Sequence, residues 1–184
     1  MQVGPFDTVL ITGAGPVGLG AVVNAAFRGA RVIVVEGHPY RVGRARRLGA
    51  EEVIDPQDEH ALGRVLDLTH GLGVDKAIEC AGVVPAQRFC LDATRRRGSI
   101  AFVGECYEAA LSITVSPDLL RKGITIYGSW YYRRTLVPQV LQVIQRSPVI
   151  QHLISHVLPM TRIQEAFEIS ASHDCAKIIL KPWE

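Results

Sequence analysis

The stretch 8-TVLITGAGPVGLG-20 decides how the rest of the chain is read. Thr8 to Thr12 is a short apolar run, the pattern of a strand buried on both faces of a parallel sheet. Gly13, Gly15 and Gly18 follow as G-x-G-x-x-G. Gly13 permits the sharp turn off the strand. Gly15 has no side chain to keep a diphosphate from the backbone. Gly18 lets the next helix lie close on the sheet. Pro16 suits a first helical position, where its missing N–H costs nothing. The free N–H groups at that helix start face an anion. Alone, the motif is equally compatible with a glycine-rich loop that binds nothing.

The residues beyond it repeat strand and helix. A helix is predicted over 16–28, closed by Gly29, then a buried strand over Arg31 to Glu36. A helix over 39–48 leads to a short strand over 52–54, and a helix over 59–68 to a strand over 74–80. A helix over 85–94 and strands over 99–103 and 123–129 complete this pattern. Such repetition predicts an α/β fold with a six-stranded parallel sheet wound on both faces. After Trp130 the pattern loosens. Helices are expected over 136–145 and 160–170, the second capped by Thr161, with strands over 154–158 and 176–180. The expected organisation is a dinucleotide-binding domain over 1–130 and a C-terminal segment over 131–184.

Composition sets the class. The chain has 184 residues, 48% hydrophobic and 21% charged, with a formal net charge of +2. A charge that small argues for neither a nucleic acid nor a membrane surface as partner. No apolar run approaches the ~20 residues that span a bilayer. The opening MQVGPFD lacks the regions of a signal peptide, which predicts a cytoplasmic protein. Cys80, Cys90, Cys106 and Cys175 are scattered, as expected of free thiols in a reducing compartment.

Glu36 ends the second strand, 18 residues after Gly18. A dinucleotide fold needs a carboxylate there to accept hydrogen bonds from both adenosine ribose hydroxyls, and that carboxylate repels a 2′-phosphate. Strand, glycine turn, helix, strand and acid together point to NAD rather than NADP. Arg41, nearest Glu36, is placed to bond a ribose hydroxyl, while Arg44, Arg46 and Arg47 read as a solvated face. Cys80-Ala81-Gly82 and Val103-Gly104 close the fourth and fifth strands, where a bound dinucleotide passes. Cys80 lacks a basic neighbour that would make it a nucleophile. The histidines form no metal-binding array, and His152 and His156 sit where prolines disfavour a helix. Arg95-Arg96-Arg97 is expected at a helix end, complementing its dipole.

These residues resemble the coenzyme domain and C-terminal tail of the zinc-dependent medium-chain alcohol and polyol dehydrogenases, of the sorbitol and threonine dehydrogenase kind. The matching stretches are 7-DTVLITGAGPVGL-19, VVE with Arg41, 47-RLGAEEVID-55, 73-GVDKAIECAG-82, 98-GSIAFVG-104, 121-RKGITIYGS-129, ISHVLPMTRIQEAFE from 154 and KIILKP from 177. The resemblance implies a Rossmann-type sheet and NAD(H) held at its diphosphate by Gly13, Gly15, Pro16, Val17 and Gly18. Glu36 and Arg41 would hold the adenosine ribose. Cys80, Ala81, Gly82, Val103, Gly104, Ile126 and Tyr127 would line the path from adenine to nicotinamide. It further implies a homodimer through the 123–129 edge strand. In that family a separate N-terminal domain supplies the catalytic zinc and most substrate contacts. These residues lack it, so the last strands are expected to lack partners. An alcohol or polyol substrate is expected only with such a domain. A zinc-independent quinone or enoyl reductase and a non-enzymatic NAD(H)-sensing module remain alternatives. An S-adenosylmethionine methyltransferase shares the glycine turn and the acid but not the later strand ends.

Overall fold

A computed structural model describes residues 1–184. Its main body carries β1 (Thr8–Thr12), α1 (Pro16–Phe27), β2 (Arg31–Val35), α2 (Pro39–Arg47), β3 (Glu52–Ile54) and α3 (Ala61–Leu68). These are followed by β4 (Val74–Glu79), α4 (Val84–Ala93), β5 (Thr94–Phe102) and β6 (Thr125–Gly128). The six strands lie in the order β3-β2-β1-β4-β5-β6, every neighbouring pair parallel. The order reverses between β1 and β4, and a crevice opens there at the carboxyl ends of the strands.

The apolar runs alternate sides within the sheet. Val9, Ile11, Val32 and Val34 pack against Leu19, Val22, Ala45 and Leu48 of the α1–α2 layer. Leu10, Ile33, Ala77 and Ile100 face Val65, Cys90 and Leu91 of the α3–α4 layer. Both faces are covered, so neither half of each strand needs polar residues.

The Arg95–Arg97 run does not end a helix. It lies in the first half of β5, where Arg95 Nε bonds Asp75 Oδ1 at 2.7 Å and the Arg97 N–H donates to the Lys122 carbonyl at 2.7 Å. The carbonyls at the end of α4 are met instead by Lys122, whose Nζ donates to Leu91, Asp92 and Thr94 oxygens at 2.6, 3.1 and 3.1 Å. Burial lowers the Lys122 pKa from its ordinary value. A single cation reaching three carbonyls serves the helix end better than exposed arginines.

The C-terminal segment holds α5 (Val137–Arg146), β7 (Ile154–Pro159), α6 (Ile163–Ala171) and β8 (Lys177–Lys181). The expectation of unpartnered last strands is corrected: β7 and β8 pair parallel with each other as a separate two-stranded sheet. The helical connection through α6 is long enough for that geometry. Thr161 does not cap α6; it sits in a 3₁₀ turn (Met160–Arg162), and Arg162 occupies the cap position without a side-chain bond to the helix's free N–H groups. His152 and His156 lie on a 3₁₀ turn and on β7, as the prolines suggested. Val149, Ile150, Leu153 and Ala176 rest on the α1–α2 core layer. Arg44 is not solvated: it donates to the His152 carbonyl at 3.0 Å and to Tyr40 Oη at 2.7 Å. On α5, Val137, Val140, Leu141 and Ile144 remain exposed. No helix is long and apolar enough to cross a membrane.

Candidate dinucleotide site

The turn after β1 is held from both sides. The Gly13 N–H donates to the Val35 carbonyl at 2.8 Å, and Gly13 takes a φ of +81°, open to glycine at no steric cost. A Cβ added to Gly13 would lie 2.8 Å from the Ala81 Cα. At Gly18 an added Cβ would lie 1.8 Å from the Gly13 carbonyl oxygen and 3.5 Å from Cys80 Cβ. Gly18 is thus required first by the turn it follows, and only second by packing on the sheet. At Gly15 nothing lies within 4 Å of an added Cβ. The one glycine of the motif that the protein does not need for its own packing is the one that leaves the turn accessible.

The N-terminus of α1 has no side-chain cap and no acidic residue in its first turn. Its leading N–H groups have no intrahelical acceptors. The first α-helical bond runs from the Leu19 N–H to the Gly15 carbonyl at 2.9 Å. Pro16 occupies the first turn, and Val17 is exposed beside it. Here an anion would meet free donors and the positive end of the helix dipole.

Glu36 stands across the turn. Oε2 accepts the Ala14 N–H at 2.8 Å, and Oε1 accepts those of Gly37 and His38 at 2.9 and 2.8 Å. The carboxylate therefore ties the glycine turn to the β2–α2 turn. Of roughly four acceptor positions on a carboxylate, one on Oε2 is left. Arg41 flanks the same cavity, and its Nη2 lies 3.0 Å from His173 Nδ1 in the loop after α6.

A cavity of about 570 Å³ lies above this arrangement. Gly13, Gly15, Glu36, Arg41, Cys80 and Ala81 line it, together with Val35, Gly37, Pro56, Gln57, Val83 and Phe89. Gly82, Val103 and Gly104 do not line it; they form the second strand-end turn system beside it. Ile126 packs toward the α3–α4 core layer, and Tyr127 is part-exposed on the outermost strand. Burial pushes the Cys80 thiol up to about 12, with the Glu79 charge adding to the shift. A thiol so held is protonated at neutral pH and is no nucleophile.

The residues missed by the motif reading come from strand-end neighbours. Gln57 and Phe89 carry no sequence signal, because only the fold brings the β3 end and α4 to the β1 turn. Glu79 did carry one: an acid at the carboxyl end of the strand VDKAIE, beside the crevice. It is fully buried.

The parallel sheet wound on both faces, with a crevice where its strand order reverses, defines a Rossmann-type α/β domain. The sequence model of the family described as zinc-binding dehydrogenases matches residues 16–146, and the chain belongs to that family. It is 32% identical over 182 residues to sorbitol dehydrogenase of Bacillus subtilis, covering 97% of this chain and 51% of that protein. With L-threonine 3-dehydrogenase of Pyrococcus abyssi it shares 32% over 189 residues, covering 96% and 52%. An alcohol dehydrogenase structure from Thermotoga maritima superposes with a TM-score of 0.90 at 30% identity, over 98% of this chain and 51% of that one. The chain spans about half the length of the curated relatives it matches.

Proposed function

We propose that this chain is the NAD(H)-binding portion of a zinc-type alcohol or polyol dehydrogenase. The observation that carries the reading is the uncapped start of α1, facing open space at Gly15 with Glu36 opposite. The diphosphate would sit on the free N–H groups of that turn. The last acceptor position of Glu36 would take one ribose hydroxyl, and Arg41 would serve the other. A 2′-phosphate would meet the Glu36 charge, which favours NAD over NADP. When bound, the nicotinamide ring accepts or returns a hydride.

The zinc of the full-length relatives has no place among these residues. No group of three or more His, Cys, Asp or Glu side chains lies close enough to hold a metal ion. No step through zinc is assigned to this chain, and turnover of a small alcohol or polyol would need a catalytic domain. We assign 1–130 to the NAD-binding domain and 131–184 to a segment that joins the catalytic half, whose apolar surface on α5 supports that reading. β6 is the outer strand of the sheet, free on one side, and suits pairing across a homodimer axis. The family favours a cytoplasmic setting.

Calorimetric titration with NADH and NADPH tests the assignment. Binding of NADH at micromolar concentration and weaker binding of NADPH are expected. Glu36→Ala should narrow that preference by about tenfold, the weight of one hydrogen bond to a charged group. A chain that takes up no NADH at millimolar ligand would sink the reading.

A further inference from the structure

Glu79 is a fully buried acid beside the proposed site that does not itself line the cavity. Its atoms reach two turns. Side-chain Oε1 accepts the N–H groups of Ala81 and Gly82, both at 2.8 Å. Its backbone carbonyl accepts those of Val103 and Gly104, both at 3.0 Å. Oε2 has no hydrogen-bond partner and lies against Gly104, where an added Cβ would stand 2.8 Å from it. The two turns also touch directly. A Cβ on Gly104 would come 2.3 Å from the Gly82 nitrogen, and a Cβ on Gly82 would come 2.5 Å from the Glu105 carbonyl oxygen.

Burying a carboxylate is costly, and only part of that cost is met here. Burial raises the Glu79 pKa above its ordinary value, even though backbone N–H groups pull the other way. An apolar side chain would fill the volume at less cost. It would leave the Ala81 and Gly82 N–H groups without an acceptor. What the acid supplies is therefore the shape of the turns rather than core stability.

We propose that Glu79 is a positioning residue: its side chain fixes the β4-end turn, and the β5-end turn, which hangs on the Glu79 carbonyl and packs on Gly82, is locked behind it, so that the Ala81 wall stands fixed before the dinucleotide. This rests on the NAD(H) reading above. Ala81 lines the cavity, so a shift of its turn is felt by the ligand directly. Val103 and Gly104 bond the Glu79 backbone carbonyl, which any residue supplies, and feel the side chain only through the contact of Gly104 with Gly82.

The test is NADH affinity by calorimetry for the wild type, Glu79→Ala and Glu79→Gln, each checked for native circular dichroism. Glu79→Ala should lose at least about tenfold, the weight of one well-made bond. Glu79→Gln keeps an oxygen for both N–H groups and should stay within about threefold, a rescue that a charge-based role would not give. A folded Glu79→Ala with wild-type affinity overturns the proposal, as does a tenfold loss in Glu79→Gln. Should the alanine variant not fold, amide hydrogen exchange on the wild type decides. Added NADH must protect Ala81, Gly82, Val103 and Gly104 together, and protection of one turn without the other overturns the lock. A wild type that does not bind NADH defeats the functional reading itself, which separates the two failures.

Discussion

The two glycine turns of the crevice use the same residue type for opposite ends. In the turn after β1, Gly15 stands beside open space, while Gly13 and Gly18 are pressed against backbone. In the paired turns after β4 and β5, Gly104 is pressed against Gly82 and Gly82 against the Glu105 backbone, and no comparable opening exists at either. The first turn is built to receive something and the second to hold a surface still. A glycine in a binding motif thus has two distinct meanings, and the free space around its missing side chain tells them apart.

The largest effect expected from breaking that contrast is at Gly18. Gly18→Ala puts a methyl 1.8 Å from the Gly13 oxygen, where both partners are backbone and neither can swing away. Overpacking of this kind costs about 3 kcal/mol. Urea denaturation should show it as a fall in midpoint, and an unchanged midpoint would mean that the turn is far softer than its contacts imply. Gly104→Ala comes next. Its methyl meets the Gly82 nitrogen at 2.3 Å, and a loss of about 2 kcal/mol is expected by the same measurement.

Glu79 gives a smaller effect with a definite pH dependence. Its folded pKa is raised, so its favourable contribution is full below the ordinary glutamate value and is lost as pH rises through the folded value. The titrating groups that feel its charge are Cys80 and Cys90, both thiols pushed up to about 12 by burial and neutral throughout this range. Wild-type stability should therefore fall as pH rises above the ordinary glutamate value. Glu79→Gln should lack that step, so melting temperatures of the two proteins should separate as pH rises. Parallel curves would place the Glu79 pKa back in its ordinary range.

Most of the main body was legible in the sequence, because its strands bury both faces and announce themselves as apolar runs punctuated by glycine. The β1 turn was legible for the same reason, as its chemistry lies within six consecutive residues, Gly13 to Gly18. The double duty of Glu36 was not. A carboxylate at the end of β2 reads as a ribose ligand, and its bonds to Ala14, Gly37 and His38 appear only once the turns are folded together. Lys122 escaped notice because its three carbonyls lie about 30 residues back in the chain. The β7–β8 pairing is not legible, because each strand taken alone reads as a contributor to another domain. Pairing two short strands with one another is the local solution for backbone groups that would otherwise have no partner.

Gly15→Ala is the smallest change in stability and the sharpest reading of the contrast. Gly15 has φ −67° and ψ −176°, a conformation that alanine adopts without strain. Its added methyl meets nothing within 4 Å. Alanine is a poorer helix cap than glycine, but it also restricts the unfolded chain, and the two terms offset each other to within about 0.5 kcal/mol. Thermal melting should thus hardly move. NADH affinity should fall by about tenfold or more, the equivalent of 1.4 kcal/mol, because the methyl fills the space proposed for the diphosphate. Gly104→Ala should show the reverse order, with stability lost first and affinity lost through it. If Gly15→Ala bound NADH as the wild type does, the open space beside Gly15 would not be where the diphosphate lies, and the division between receiving and holding turns would fail at its first member.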